Sequence, residues 1–221
     1  LITTRGFRDV IEMRNENRFE QYDINIDLPV PLVPRSHRFV VSERMSASGR
    51  ILKSLEEDEV RSLIPELVDK EIRSVAVGLL HSYRNSIHEE RVREIINAAA
   101  PELEITLSSE VSPEIREFER ISTACANAYV QPLMASHLRN LEIRLHAAGA
   151  TCPVYLMHSG GGLIDVDTAA KFPVRLVESG PAGGAIFASD IAARHDLGTV
   201  LSYDMGGTTA KVWLIEDGTP G

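Results

Sequence analysis

LSYDMGGTTAKVWLIEDG, residues 201–218, decides how the rest of the chain is read. Two apolar runs, 199–203 and 212–215, flank Gly206-Gly207-Thr208-Thr209, and Asp204 ends the first run. A Gly-Gly pair between two such runs is a hairpin signal, and that reading alone needs no ligand. The flanking residues add a second reading. Glycines let backbone N–H groups converge on an anion, and the threonine hydroxyls add donors. The carboxylate of Asp204 can hold Mg²⁺ through its waters. The set is a nucleotide-phosphate signature of its own, because the chain has neither G-x-x-x-x-G-K-[ST] nor G-x-G-x-x-G.

Two further glycine clusters precede it, HSGGGL (158–163) and ESGPAGGA (178–185). The first follows a predicted strand. The second opens a predicted helix, 181–194, where free N–H groups and the positive dipole end meet an anion. Taken singly, Gly160, Gly161 and Gly162 read as a turn, and Gly183-Gly184 as close helix packing. Taken together, Ser159 to Gly162, Gly180, Gly183, Gly184 and Gly206 to Thr209 read as loops rimming one polyanionic ligand, so the clusters are expected to approach one another.

The remainder alternates. Residues 38–43 and 50–53 read as a hairpin after a proline-rich connector, PVPLVP (29–34). Ser54 with Glu57 and Ser86 with Glu89 have capping-box spacing ahead of two amphipathic helices. Pro65 is expected to kink or shorten the first, and Pro101 to stop the second. SVAVGLL (74–80) reads as a buried strand and 104–107 as a short one, which argues for an α/β layer. Ser112-Pro113 reads as the start of a long helix that Pro132 kinks or divides and Gly149 ends. Met134, Leu138, Leu141 and Leu145 form its core stripe. Strands are expected at 154–157 and 174–177.

With 221 residues, 43% hydrophobic and 25% charged, the chain is globular, as one large domain or two small ones. A net charge of −9 argues against nucleic-acid binding. Cys125 and Cys152 give neither a disulfide framework nor a ligand pair, and a reduced, cytosolic setting fits. No apolar run reaches the roughly 20 residues a membrane span needs. His81 follows a buried strand, where functional groups sit in open α/β sheets, although a hydrogen-bonded structural histidine also satisfies the pattern. His88 falls in a first helical turn and is expected to be exposed. The charge run Glu114, Arg116, Glu117, Glu119 and Arg120 reads as a solvated helix face, with Arg116 and Glu119 as second-rank candidates. His158-Ser159 lacks a G-x-S-x-G elbow.

SEVSPEIREFERISTACANAYVQP (109–132), SGGG (159–162), ESGPAGG (178–184) and YDMGGTTAKV (203–212), in this order, resemble the hydantoinase A / 5-oxoprolinase family. GFRDV (6–10), PLVPR (31–35) and VAVGLLHSYRNSIHEERV (75–92) resemble its N-terminal domain. The resemblance covers nearly the whole chain. It implies an actin-like ATPase (ribonuclease H-like) fold, with 1–112 as the later part of the N-terminal domain and 113–221 as the first part of the ATPase-like domain. It implies ATP with Mg²⁺, a cyclic amide substrate such as a hydantoin or 5-oxoproline, and a partner subunit of the hydantoinase B type. Ketone carboxylase subunits are relatives. The family's own opening Asp-x-Gly-Gly-Thr loop is missing here, so the chain reads as a fragment expected to bind ATP weakly and to catalyse nothing alone. The family's later loop commonly ends in Asp, and Lys211 stands at that position. Lys211 either reaches a phosphate as a point charge or is a solvated strand residue.

Overall fold

The computed structural model describes residues 1–15, 22–26, 29–207 and 209–220. It divides into two compact units, Leu1–Pro132 and Leu133–Gly221.

In the first unit, β1 (Ile2–Thr4), β2 (Phe39–Val41), β5 (Ser74–Gly78) and β6 (Glu104–Leu107) form a sheet in the order β2-β1-β5-β6. Every pairing in it is parallel, with Ile2 opposite both Phe39 and Val77, and Ser74 opposite Glu104. A parallel sheet is covered on both faces, which is why SVAVG alternates nothing and reads as one apolar run. On one face, Ile2, Val41, Val75, Val77 and Leu107 pack with Val60, Ile64 and Leu67 of α2 (Glu57–Asp69) and with Val92 and Ile96 of α3 (Ile87–Ala99). On the other, Leu1 and Ala76 meet Ile11 of α1 (Val10–Met13) and Ile121, Ala124, Cys125 and Ala128 of α5 (Glu117–Ala147). Gly78 makes this second contact possible, since a Cβ there would stand 2.6 Å from Ile121 Cγ1.

Several expectations are corrected. Residues 39–41 join the parallel sheet beside β1. The hairpin is instead made by the two-residue β3 (Arg44–Met45) with β4 (Ile51–Lys53), because the 38–43 run is needed as a buried edge strand. Pro65 lies within α2 without ending it. Glu56, not Ser54, caps α2, and no side chain bonds a free N–H at that end. Ser112-Pro113 does not start the long helix. A single turn, α4 (Ser108–Val111), stands before it, and α5 opens at Glu117. Pro132 sits inside α5, and Gly149 follows that helix with φ +96°.

In the second unit, β7 (Tyr155–Met157) and β8 (Leu163–Asp165) form an antiparallel hairpin. The core joins Ala135 and Leu138 to Val166, Ala169 and Ala170 of α6 (Val166–Lys171). Of the expected stripe only Leu138 is fully buried, while Met134, Leu141 and Leu145 are half-buried. Asp165 caps α6, accepting from Thr168 N–H at 2.7 Å. The predicted strand at 174–177 is a 3-10 turn, Pro173–Leu176, with proline at its first position. Then come α7 (Ser179–Arg194) and an antiparallel sheet of β9 (Thr199–Met205), β10 (Ala210–Glu216) and β11 (Thr219–Pro220), in the order β11-β10-β9.

Candidate functional site

The stretch 201–218 forms the hairpin its sequence requires. Asp204 lies directly opposite Lys211, and Met205 opposite Ala210. Gly206 N–H donates to Thr209 O at 3.0 Å and closes the turn. Thr208 lies outside the described residues. Gly206 and Gly207 are exposed, and a Cβ at Gly207 would touch nothing within 4 Å. Residues directly opposite in an antiparallel pair share a face, so Asp204 and Lys211 lie on the face that carries Trp213 and Ile215. Ile215 is buried there, whereas Leu201, Tyr203, Val212 and Leu214 on the other face are exposed.

The second cluster opens α7 and touches both of the others. Glu178, its N-cap, has φ +67° and makes no side-chain cap, and its carboxylate is paired with the Lys211 ammonium. The first turn of α7 therefore keeps its N–H groups free of any side-chain acceptor. A Cβ at Gly180 or Gly184 would meet nothing within 4 Å, so packing within the chain does not call for glycine at either position. Gly183 faces Met157, where a Cβ would lie at an ordinary 3.6 Å from Cγ. Gly161, at φ +83°, faces Ile186 so closely that a Cβ would be 2.8 Å from its Cδ1. All three clusters thus meet at the opening turns of α7.

The first cluster differs from the phosphate cradle anticipated for it. Ser159 N–H donates to Arg175 O at 2.7 Å and Gly161 N–H to His158 O at 2.9 Å. Gly160 N–H donates to His158 Nδ1 at 2.9 Å. Three backbone donors of the loop are therefore already engaged. Among the described residues no three His, Cys, Asp or Glu side chains are grouped to hold a metal ion. Asp204 is a single exposed carboxylate, which still suits Mg²⁺, an ion that keeps several waters and shares its shell with phosphate oxygens.

Sequence reasoning missed a second concentration of polar groups, at the carboxyl edge of the parallel sheet. The chain passes from β1 to β2 on one side and then to β5 on the other, so β1 and β5 flank a topological switch point. There Glu89, fully buried, accepts from Leu79 N–H (2.9 Å), Ser108 Oγ (2.7 Å), Ser109 N–H (2.9 Å) and Ser109 Oγ (2.7 Å). Its capping-box role is overturned: Ser86 Oγ instead donates to Glu90 at 2.6 Å. His88 is buried, with Nδ1 2.8 Å from Glu43 Oε2, because the first turn of α3 points it inward toward that carboxylate. Thr4 Oγ1 donates to the other Glu43 oxygen. Arg120 is fully buried, not solvated, and donates to Ser108 Oγ (3.2 Å), Glu114 O (2.9 Å) and Leu79 O (3.1 Å). His81, at φ +55°, holds Nδ1 3.7 Å from Glu117 Oε1 and without a hydrogen bond. Arg116 is exposed at φ +87°, and Glu119 accepts from Asn15 at 2.7 Å. Cys125 and Cys152 are free, and burial pushes the Cys125 thiol up to about 11. No helix among the described residues is long and apolar enough to cross a membrane.

A mixed α/β chain with a parallel sheet and a glycine-turned hairpin is consistent with the actin-like ATPase fold. The chain belongs to the hydantoinase/oxoprolinase family: the family's N-terminal region matches residues 1–100 and the Hydantoinase/oxoprolinase domain matches 120–221. It is 39% identical over its whole length to an uncharacterised protein of Methanocaldococcus jannaschii, covering 32% of that protein. It is 29% identical to caprolactamase subunit alpha of Pseudomonas jessenii, covering 99% of this chain and 32% of the relative. The structure of nucleotide-free acetone carboxylase superimposes with a TM-score of 0.84 at 27% identity, covering 98% of this chain and 32% of that one. The chain therefore spans about a third of the length of these relatives.

Proposed function

We propose that this chain forms the nucleotide-phosphate part of an ATP-dependent cyclic amidohydrolase that opens hydantoin or 5-oxoproline rings. One observation carries the reading: the start of α7 lies against the β7 end and loop that carry the first cluster, at Gly183–Met157 and Gly161–Ile186, and against the third cluster at Glu178–Lys211. Gly180, Gly183, Gly184, Gly206, Gly207, Thr208 and Thr209 would bind the phosphates, together with the Ser159–Gly162 loop. Charge-assisted hydrogen bonds of about 1.5–3 kcal/mol each hold them there. Asp204 would hold Mg²⁺ through water, and Lys211, paired with Glu178, stands opposite it in the hairpin. ATP supplies a phosphoryl group to the amide oxygen as ADP leaves. Water then adds to the activated carbonyl carbon and the ring C–N bond breaks as the nitrogen takes up a proton; a second water hydrolyses the acyl phosphate so formed, leaving the carboxylate and free phosphate. The residues of this chain contribute placement and charge neutralisation, the usual protein share of phosphoryl transfer.

Residues 1–112 are assigned to the family's N-terminal domain and 113–221 to the start of its ATPase-like domain, a boundary that falls between the two matched stretches. A partner subunit of the hydantoinase B type is supported by a relative named as one subunit of an enzyme. A cytoplasmic location is supported by two cysteines that form no disulfide. A second reading, a ketone carboxylase subunit, is favoured by the likeness to acetone carboxylase. A third, a non-catalytic nucleotide-binding or assembly domain, is favoured by Lys211 standing in a carboxylate's place.

The test is ADP release by the protein at its relatives' full length, with its partner, on 5-oxoproline, hydantoins, and ketones with bicarbonate. Release that depends on a cyclic amide is expected. Release that depends only on ketone and bicarbonate replaces the first reading by the second, and nucleotide binding without turnover on any of them favours the third.

A further inference from the structure

The His158 loop is built around its own imidazole. His158 N–H donates to Gly162 O at 2.9 Å, and Gly161 N–H returns to His158 O at 2.9 Å. The ring lies over the turn: a Cβ at Gly160 would be 2.7 Å from its Cε1, and one at Gly162 would be 2.7 Å from its Nε2. A side chain at either glycine would press on the imidazole and displace it. Gly160 N–H donates to Nδ1 at 2.9 Å, so Nδ1 carries no proton and a neutral ring bears its hydrogen on Nε2. The ring is half-exposed, and Nε2 is not among the buried groups that lack partners. One amide therefore orients the imidazole and leaves Nε2–H as the ring's donor. The same loop is seated on α7 through Gly161 and Ile186, and through Ser159 N–H on Arg175 O, three residues before Glu178.

We propose that His158 Nε2–H is the donor this loop offers to a phosphate oxygen of the nucleotide. The loop recognises phosphate by its neutral imidazole, because the backbone N–H groups of residues 159–161 are already engaged. A backbone donor that fixes one ring nitrogen sets the role of the other, as in metal sites where the second nitrogen is held by its own partner. The inference rests on the reading of these three clusters as a phosphate site.

His158→Asn separates the two roles of the ring. Asn Oδ1 still accepts from Gly160 N–H, in the manner of an Asx turn, but the side chain carries no donor at the Nε2 position. In the full-length protein, titration with ADP is expected to show an affinity loss of about tenfold for this variant, with the unfolding temperature unchanged. Histidine ¹⁵N spectra of the wild-type chain are expected to show a protonated Nε2 and a bare Nδ1, with Nε2 shifting in the full-length protein on addition of ADP. If wild type and variant bind ADP equally, His158 is a turn residue and the proposal falls while the phosphate site stands. A protonated Nδ1 overturns it whatever the affinities. If the wild type binds no ADP, the phosphate site falls and the proposal with it.

Discussion

At the scale of single residues, the buried carboxylates of the parallel sheet are the most exacting positions. All four hydrogen bonds to Glu89 come from donors, and two of these are backbone N–H groups that cannot turn away. Glu89→Gln would present an NH₂ to one of them. We expect a loss of about 2–3 kcal/mol, read from the urea midpoint; an unchanged midpoint would show that the network relaxes freely. Asp204 behaves oppositely. It is exposed, so Asp204→Ala should leave stability within about 0.5 kcal/mol. The same change should abolish Mg²⁺-ATP turnover in the full-length enzyme, and retained turnover would remove Asp204 from the mechanism. Lys211→Asp tests the neighbouring charge. It breaks the pair with Glu178 and places a carboxylate opposite Asp204. ATP affinity measured without Mg²⁺ should fall, and Mg²⁺ affinity should rise.

At the scale of elements, β5 lies against α5 with no room for a side chain at Gly78. Gly78→Ala drives a methyl into Ile121, and β5 cannot retreat because it is paired with β1 on one side and β6 on the other. A cost of about 1–3 kcal/mol is expected by thermal denaturation. The double variant Gly78→Ala, Ile121→Ala should cost less than the sum of its parts. Between α2 and α3 an electrostatic tie adds to the shared apolar core. Arg91 grips Glu57 at 2.7 and 3.0 Å, and this hydrogen bonding, helped by Arg61, holds the Glu57 carboxyl down at about 2. A carboxyl depressed in the folded state contributes stability above its unfolded pKa and loses it as pH falls. The contribution should be complete above about pH 4.5 and fade toward about pH 2. Glu57→Gln should flatten stability over that window. Because the pair is exposed, 0.5 M salt should shrink the effect in the wild type.

At the scale of the molecule, the chain divides into its two compact units between Pro132 and Leu133, within the residues of α5. The first half of α5 covers one face of the parallel sheet, with Ile121, Ala124, Cys125 and Ala128. A chain ending at residue 112 would expose that face and unpair Ser108 from Arg120, and it should fail to unfold cooperatively. A chain ending at Pro132 keeps the face and the network and should unfold in one transition by circular dichroism. Cooperative unfolding of the shorter chain would show that α5 is dispensable to the sheet.

The sequence by itself determined whatever rests on local pattern. The Gly-Gly turn between two apolar runs could only be a hairpin, the continuous SVAVG run had to be a doubly covered strand, and Gly149 had to end its helix. It also placed the three glycine clusters at element ends. The family motifs were legible for the same reason, since glycine spacing is a local property. Tertiary structure alone decided where polar side chains went. Helical period put His88, Glu89 and Arg120 on turns that a solvated face would also occupy. They lie inside because the carboxyl ends of parallel strands leave N–H and C=O groups that need buried partners. Residues 39–41 were taken from a hairpin into the sheet by the need to cover the edge of β1. In the HSGGG loop, the sequence showed three glycines but not their purpose. Only the fold shows that two of them make room for the imidazole of His158, while the third lets the loop settle on α7.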